Sequence, residues 1–305
     1  MSLANLLINT LLRLNRRSAM ALTAEHRFRR NRKFLAVDRS RVGPGIDIRP
    51  DRLAGVPVEW VVPRATAGQE PQATCVYFHG GAFVMGGLHS HRDMAAILAR
   101  KAGIRMLMVD YRLAPEHPFP AALDDAMAVW RALLDRGLPN QQLLLAGDSA
   151  GGNIALATLQ AMRDGRLPMP AAFFLFSPWL DLQNDSPTCR SNASRDTMLS
   201  PQLLDEAVAL YAPQTARDDP RLSPLRGDLS GLPPCMIIAS KNEVLQHDSQ
   251  ELQARLRAQG GHAEYLEWAR TPHAFPVLAR HLPEGRAALD KTAAFIRQQL
   301  LPSPG

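Results

Sequence analysis

The 305-residue sequence predicts an α/β fold, a mostly parallel doubly wound sheet, on three observations. Short apolar runs near 57–62, 73–78, 105–110, 143–147, 172–177, 235–239 and 263–268 read as buried strands. Helical patterns near 92–102, 120–136, 150–163, 201–212, 248–259 and 285–300 fall between or after them. That alternation implies parallel strands with helices on both faces. Finally, two glycine-rich loops each follow one of the strand-like runs directly. A hydrophobic content of 46% gives one large domain ample apolar surface for a core, and 24 prolines and 20 glycines mostly punctuate the periodic segments.

The N-terminus stands apart. Residues 1–41 hold ten Lys/Arg and two Asp/Glu, a net of +8, whereas the whole chain is only +6. The basicity is therefore local, and the remainder nets to −2. Leu3, Leu6, Leu7, Leu11 and Leu14 fall on one helical stripe, with Ile8 and Leu12 beside it. A secretory signal is a poor match, because the charges follow the apolar stretch and no small-residue cleavage site appears. Asn9, Arg13 and Asn15 interrupt the run and exclude a transmembrane span. A helix covering the rest of the fold, a helix lying on a membrane surface and an anion-contacting segment all suit this pattern. Arg27, Arg29, Arg30, Arg32 and Lys33 serve any of them, or form a plain solvated face.

The run 73–78 leads into His79-Gly80-Gly81-Ala82-Phe83. A glycine pair lets backbone N–H groups come within hydrogen-bonding distance of a ligand, which is what an oxyanion requires. The plain alternative is a loop turn. The run 143–146 leads into Gly147-Asp148-Ser149-Ala150-Gly151-Gly152 and then an Ala/Leu-rich helical pattern. This is Gly-x-Ser-x-Gly in a strand–turn–helix setting, which exposes Ser149 at the positive end of a helix as a candidate nucleophile. Gly147 and Gly151 let strand and helix approach. An ordinary glycine-rich turn is the rival reading, and it does not explain why both loops follow strands.

These loops, with Asp110-Tyr111-Arg112-Leu113-Ala114-Pro115-Glu116-His117-Pro118-Phe119-Pro120-Ala121-Ala122, Ser177-Pro178-Trp179 and His273-Ala274-Phe275, resemble the hormone-sensitive-lipase-like branch of the α/β-hydrolases, the bacterial family IV carboxylesterases and lipases. The resemblance spans residues 77–275. It implies an α/β-hydrolase fold, with residues 1–45 an N-terminal helical cap segment, 46–305 the catalytic domain and 178–231 contributing to a lid. It also implies an oxyanion hole from the N–H groups of Gly80, Gly81 and Ala150. The block 110–122 is expected to shape a loop that supports the glycine-rich loops.

Activation of Ser149 needs a histidine and an acid, in the chain order Ser, acid, His. His273 follows the last strand-like run. The acid is sought after the run 235–239, in Ser240-Lys241-Asn242-Glu243-Val244-Leu245-Gln246-His247-Asp248. The family motif there is commonly Asp-Pro-Leu-x-Asp-(Asp/Glu), and anchoring on Leu245 and Asp248 assigns Glu243. A register shifted by one gives Asn242 and a broken triad, and Asp248 is a third candidate. Ser240 and His247 depart from the family's usual Gly and Asp.

Three cysteines, Cys75, Cys189 and Cys235, cannot all pair, and buried reduced thiols in a cytoplasmic protein are the simplest account. No Cys-x-x-Cys and no metal cluster is read. His89-Ser90-His91 is the nearest thing to a metal pair, and a solvated helix start with Ser90 as N-cap is preferred. The expectation is a serine carboxylesterase for short to medium acyl esters, using no cofactor and no nucleic acid, with Leu7, Leu11, Phe28 and Phe34 as an acyl wall and a homodimer left open. An amide or N-acetyl hydrolase with the same triad, and a non-catalytic ligand-binding protein on the same fold, are the rivals.

Overall fold

The computed structural model describes residues 2–20, 22–35, 37, 38, 40–64 and 71–300. Met1, Ala21, Ala36 and Arg39 of the expected cap lie outside them. Eight strands form one sheet: β1 (Ile46–Leu53), β2 (Val56–Pro63), β3 (Thr74–Phe78), β4 (Arg105–Val109), β5 (Leu143–Asp148), β6 (Ala172–Phe176), β7 (Cys235–Ser240) and β8 (Ala263–Trp268). Their order is β1-β2-β4-β3-β5-β6-β7-β8. The pairs β1–β2 and β2–β4 are antiparallel and the rest parallel.

Seven of these strands coincide with the apolar runs; β1 does not. Four of its eight residues are charged and one is proline, as an edge strand tolerates. Its pairing is imposed by a two-residue hairpin, with Ala54 at φ 48° and Gly55 at φ 84°, the left-handed pair that matches strand twist.

Helices α3 (Leu88–Ala102) and α9 (Pro283–Leu300) cover one face of the sheet, while α4 (Ala121–Asp135), α5 (Ala150–Asp164) and α8 (Gln246–Ala258) cover the other. The period-2 alternation of β3 shows the division. Cys75 and Tyr77 pack with Met94, Leu98 and Phe295, whereas Val76 and Phe78 pack with Trp130 and Ile154. All three cysteines are buried and unpaired.

Two short helices, α6 (Pro187–Ser191) and α7 (Pro201–Tyr211), interrupt the long β6–β7 connection. Ser186 and Ser200 cap them by accepting the N–H groups of Cys189 and Leu203, each followed by proline in the first turn. At the N-terminus, α1 (Leu3–Met20) and α2 (Ala24–Leu35) lie against the segments that follow β3, β6 and β8. Ser2 bonds Glu284, Asn5 Nδ2 donates to the Arg270 carbonyl at 3.0 Å, Arg27 pairs with Glu206, and Arg32 Nε donates to the Val84 carbonyl at 2.8 Å.

One expectation for this segment is overturned. The leucine stripe of α1 does not bury against the fold. Leu3, Leu6, Leu7, Leu11 and Leu14 are exposed, and so is Phe34; of the expected acyl wall only Phe28 is buried. The side of α1 facing the protein carries Asn5, Asn9 and Arg16, each bonded to backbone carbonyls, with Ile8 alone of the named apolar residues packed against the core.

Candidate active site

Strand β5 ends at Asp148 and α5 begins at Ala150, so Ser149 alone makes the turn between them. Its backbone sits at φ 52°, ψ −121°, a conformation costly for a residue with a Cβ. The turn is held in place by its own chain: the Ser149 N–H donates to the Phe176 carbonyl, and its carbonyl accepts from the Trp179 N–H, both at 3.0 Å. The approach of α5 requires glycine. A Cβ on Gly151 would lie 2.0 Å from the Phe78 carbonyl oxygen, and one on Gly147 would lie 2.3 Å from that of Gly151.

The loop after β3 lies beside this elbow. His79 is fully buried, its ring stacked on Tyr111 at a centroid distance of 4.4 Å. Its Nδ1–H donates to the Gly80 carbonyl at 2.8 Å. Burial, aided by the neighbouring His91, lowers its pKa to about 4, so it is a neutral post for the loop. Tyr111 Oη donates to the His79 carbonyl at 2.6 Å and the Ala114 N–H to the Phe83 carbonyl at 3.0 Å. The block 110–122 thus props the His79–Phe83 loop.

Asp148, the residue before Ser149, ties the loop to the elbow. Its Oδ1 accepts from Tyr77 Oη at 2.9 Å and from the Gly80 N–H at 2.9 Å, and lies 3.0 Å from His91 Nε2. Burial pushes this carboxyl's pKa up, but the His91 charge and the hydrogen bonds more than offset it and leave the net shift downward.

Two sequence expectations change here. The Gly80 N–H is committed to Asp148, so it is not free for an oxyanion; the amides of Gly81 and Ala82 have no acceptor among the described residues. His91 is buried and bonded to Ser90 and Asp148 instead of opening a solvated helix end. The helix begins at Leu88, and Ser90 bonds back to the Gly87 carbonyl from within its first turn instead of capping it. No group of three or more metal-ligating side chains occurs among the described residues.

The loop after β7 brings Glu243 to His273. His273 Nδ1–H donates to Glu243 Oε2 at 2.7 Å, and Glu243 Oε1 accepts the Ser240 N–H at 3.0 Å. Both side chains are buried. Ser240 Oγ also donates to the Thr271 carbonyl at 2.6 Å, joining the two loops that carry the pair. Burial works against the charged form of His273, yet the Glu243 hydrogen bond and charge outweigh it and raise the pKa above 6.5.

The rival acids lie elsewhere. Asn242 Oδ1 accepts the Arg270 N–H at 2.7 Å. Asp248 Oδ2 accepts the Leu180 and Asp181 N–H groups at 2.7 and 3.1 Å, and burial raises its pKa to about 7. Asp248 lines a different cavity from Ser149 and His273.

Ser149, His273, Gly80 and Gly81 share a cavity of about 230 Å³. Its apolar wall includes Leu35 from the end of α2, Leu203 and Leu204 from α7, and Val277. Sequence reasoning missed Asp148, His91, Ala82 and Leu35. Only Asp148 carried a signal, as the acidic residue inside the Gly-x-Ser-x-Gly motif.

A sharp serine elbow at the C-terminal edge of a parallel sheet, with a carboxylate–histidine pair supplied by later loops, defines the α/β-hydrolase class. A family model described as the alpha/beta hydrolase fold matches residues 75–277. An acetyl-hydrolase of Streptomyces hygroscopicus is 40% identical over 240 residues, covering 78% of this chain and 79% of its own length. An esterase of Acinetobacter venetianus is 35% identical over 253 residues, covering 83% and 82%. The crystal structure of an esterase from the bacterial hormone-sensitive lipase family superposes with a TM-score of 0.90 at 33% identity, covering 99% of each chain. The chain belongs to the α/β-hydrolase family, in its hormone-sensitive-lipase-like branch.

Proposed function

We propose that this chain is a serine carboxylesterase that hydrolyses short to medium acyl esters through an acyl-enzyme intermediate. The observation that carries the reading is the buried Glu243–His273 hydrogen bond opening onto the same cavity as the strained Ser149 elbow. Ser149 Oγ attacks the acyl carbonyl carbon while His273 Nε2 takes its proton. Glu243 holds the Nδ1–H tautomer and stabilises the imidazolium. The N–H groups of Gly81, Ala82 and Ala150 receive the developing oxyanion. His273 then gives its proton to the departing alkoxide, later takes one from the water that attacks the acyl-enzyme, and passes it to Ser149 Oγ as the acid leaves.

The small apolar cavity supports short acyl chains, and the relative named an acetyl-hydrolase fits that size. Its roof supports the assignment of residues 1–45 as a cap over a 46–305 catalytic domain, with 178–231 contributing a lid, since Leu35, Leu203 and Leu204 come from those segments. No described helix is long and apolar enough to cross a membrane, and three unpaired buried cysteines fit a reducing compartment such as the cytoplasm. Turnover of p-nitrophenyl acetate to octanoate, set against matched anilides, tests the reading. Ester hydrolysis peaking at short to medium chains is expected. Faster anilide cleavage would identify an amidase, and no turnover of either a binding protein.

A further inference from the structure

Helix α1 is amphipathic in the inverted sense. Its polar residues Asn5, Asn9 and Arg16 face the protein, while five leucines face solvent. Leu3, Leu6, Leu7, Leu11 and Leu14 are each 50–72% exposed and recur at three- and four-residue spacings over about three turns. A contiguous apolar stripe of this length on a folded protein's outer face marks an interaction surface. The stripe is not needed to seat the helix, whose inward side is held by hydrogen bonds to the Arg270, Ala193 and Leu199 carbonyls and by Ile8 packed against the core.

Charge identifies what covers the stripe. A groove of about 440 Å³ runs along the helix, lined by Leu6, Leu14, Arg13, Arg17, Arg195 and Arg270 among others, and no Asp or Glu lines it. Among the described residues no carboxylate pairs with any of these four guanidinium groups. Residues 1–41 carry a net +8 against −2 for the rest of the chain. An exposed leucine stripe flanked by unpaired arginines is the composition of a helix lying in the headgroup region of an anionic bilayer, with the leucines entering the acyl boundary. A second copy of the chain is a poorer fit, since a two-fold contact would set the same arginine cluster against itself.

We propose that α1 and the arginine groove beside it dock this protein on anionic lipid bilayers. Buried Thr271, two residues from His273, lines the groove, so the membrane would lie beside the loop that carries the histidine. The proposal rests on the exposed helix face and not on the ester-hydrolase reading.

Co-sedimentation with phosphatidylcholine vesicles, with and without phosphatidylglycerol, tests it on the full chain. Binding is expected with phosphatidylglycerol and much weaker without it. Raising salt from about 0.1 M to about 1 M shortens the Debye length from about 10 Å to about 3 Å and should release the protein. The combined variant Leu7→Ser, Leu11→Ser, Leu14→Ser should lose vesicle partitioning by about tenfold or more. These side chains are exposed, so its melting temperature and its hydrolysis of a soluble butyrate ester should stay unchanged. Arg13→Gln with Arg17→Gln should weaken binding and flatten its salt dependence. Partitioning equal to wild type in the triple-leucine variant would overturn the proposal. So would a wild type that ignores the vesicles but whose dimer, measured by light scattering, dissociates on the leucine substitutions.

Discussion

The Gly80 amide donates to Asp148 Oδ1 at 2.9 Å, and the Gly80 Cα sits so close to this carboxylate that a Cβ there would lie 2.2 Å from Oδ2. The residue before the proposed nucleophile thus grips the second residue of the His79–Phe83 loop. Elbow and loop come from different strands, β5 and β3, and their relative placement decides whether the amides of Gly81 and Ala82 point where charge develops. His91 and Tyr77 complete the grip from the other side, filling the same carboxylate oxygen.

Asp148 is therefore expected to act on kcat through position. Asp148→Asn keeps an oxygen for the Gly80 N–H but loses the charge that holds His91. A misplacement of about 1 Å near reacting atoms costs roughly 10²-fold in rate. We predict a kcat loss of that order on p-nitrophenyl butyrate, with KM within about threefold of wild type. Gly80→Ala should do more damage, because the new methyl must displace the carboxylate itself. A rise in KM at unchanged kcat in Asp148→Asn would place its role in substrate binding instead.

The acid should be readable both in rate and in pH profile. Glu243→Gln should lower kcat by roughly 10²–10⁴, while Asn242→Ala and Asp248→Asn change it by less than about tenfold. Catalysis needs His273 neutral, and its pKa is raised above 6.5. Activity should accordingly fall as pH drops through a value above 6.5, as His273 takes up a proton. Glu243→Gln removes the carboxylate charge that opposes the burial of His273. Its residual activity should therefore have an acidic limb at lower pH than wild type. A limb that stays in place would mean that another group governs the profile.

Leucines on the two N-terminal helices should behave in opposite ways. Leu35 lines the cavity and Leu7 faces solvent. Leu35→Ala should change kcat/KM for hexanoate relative to acetate by about threefold to tenfold, the scale of burying a few methylenes. Leu7→Ala should leave that ratio alone. Equal effects would imply that the cap acts as a whole and not through a specific wall.

Much of this architecture was legible in the sequence because burial on both faces writes parallel strands as apolar runs. Strand β1 escaped for the opposite reason, being a charged edge held by its hairpin. The Ser149 elbow and the Glu243–His273 contact were legible because the motif and the chain order of the family fix where each residue can stand. The loop donors proposed for the oxyanion, Gly81 and Ala82, stand one residue beyond the expected Gly80 and Gly81, since no sequence pattern says that Asp148 consumes the Gly80 N–H. His91 read as solvent-facing because His-Ser-His is polar, and its burial depends on a contact across 57 positions of chain with Asp148. The leucine stripe of α1 was visible, but its direction was not: periodicity identifies a face and leaves open what lies against it.

Ser149 is the proposed site of the covalent intermediate. Intact-mass measurement after treatment with a fluorophosphonate probe tests it most directly, on wild type and on Ser149→Ala. One adduct per wild-type chain is expected, mapped to the peptide bearing Ser149, and none on the folded variant, which should also have lost butyrate hydrolysis. Undiminished labelling of Ser149→Ala, or full ester turnover by it, would contradict the account.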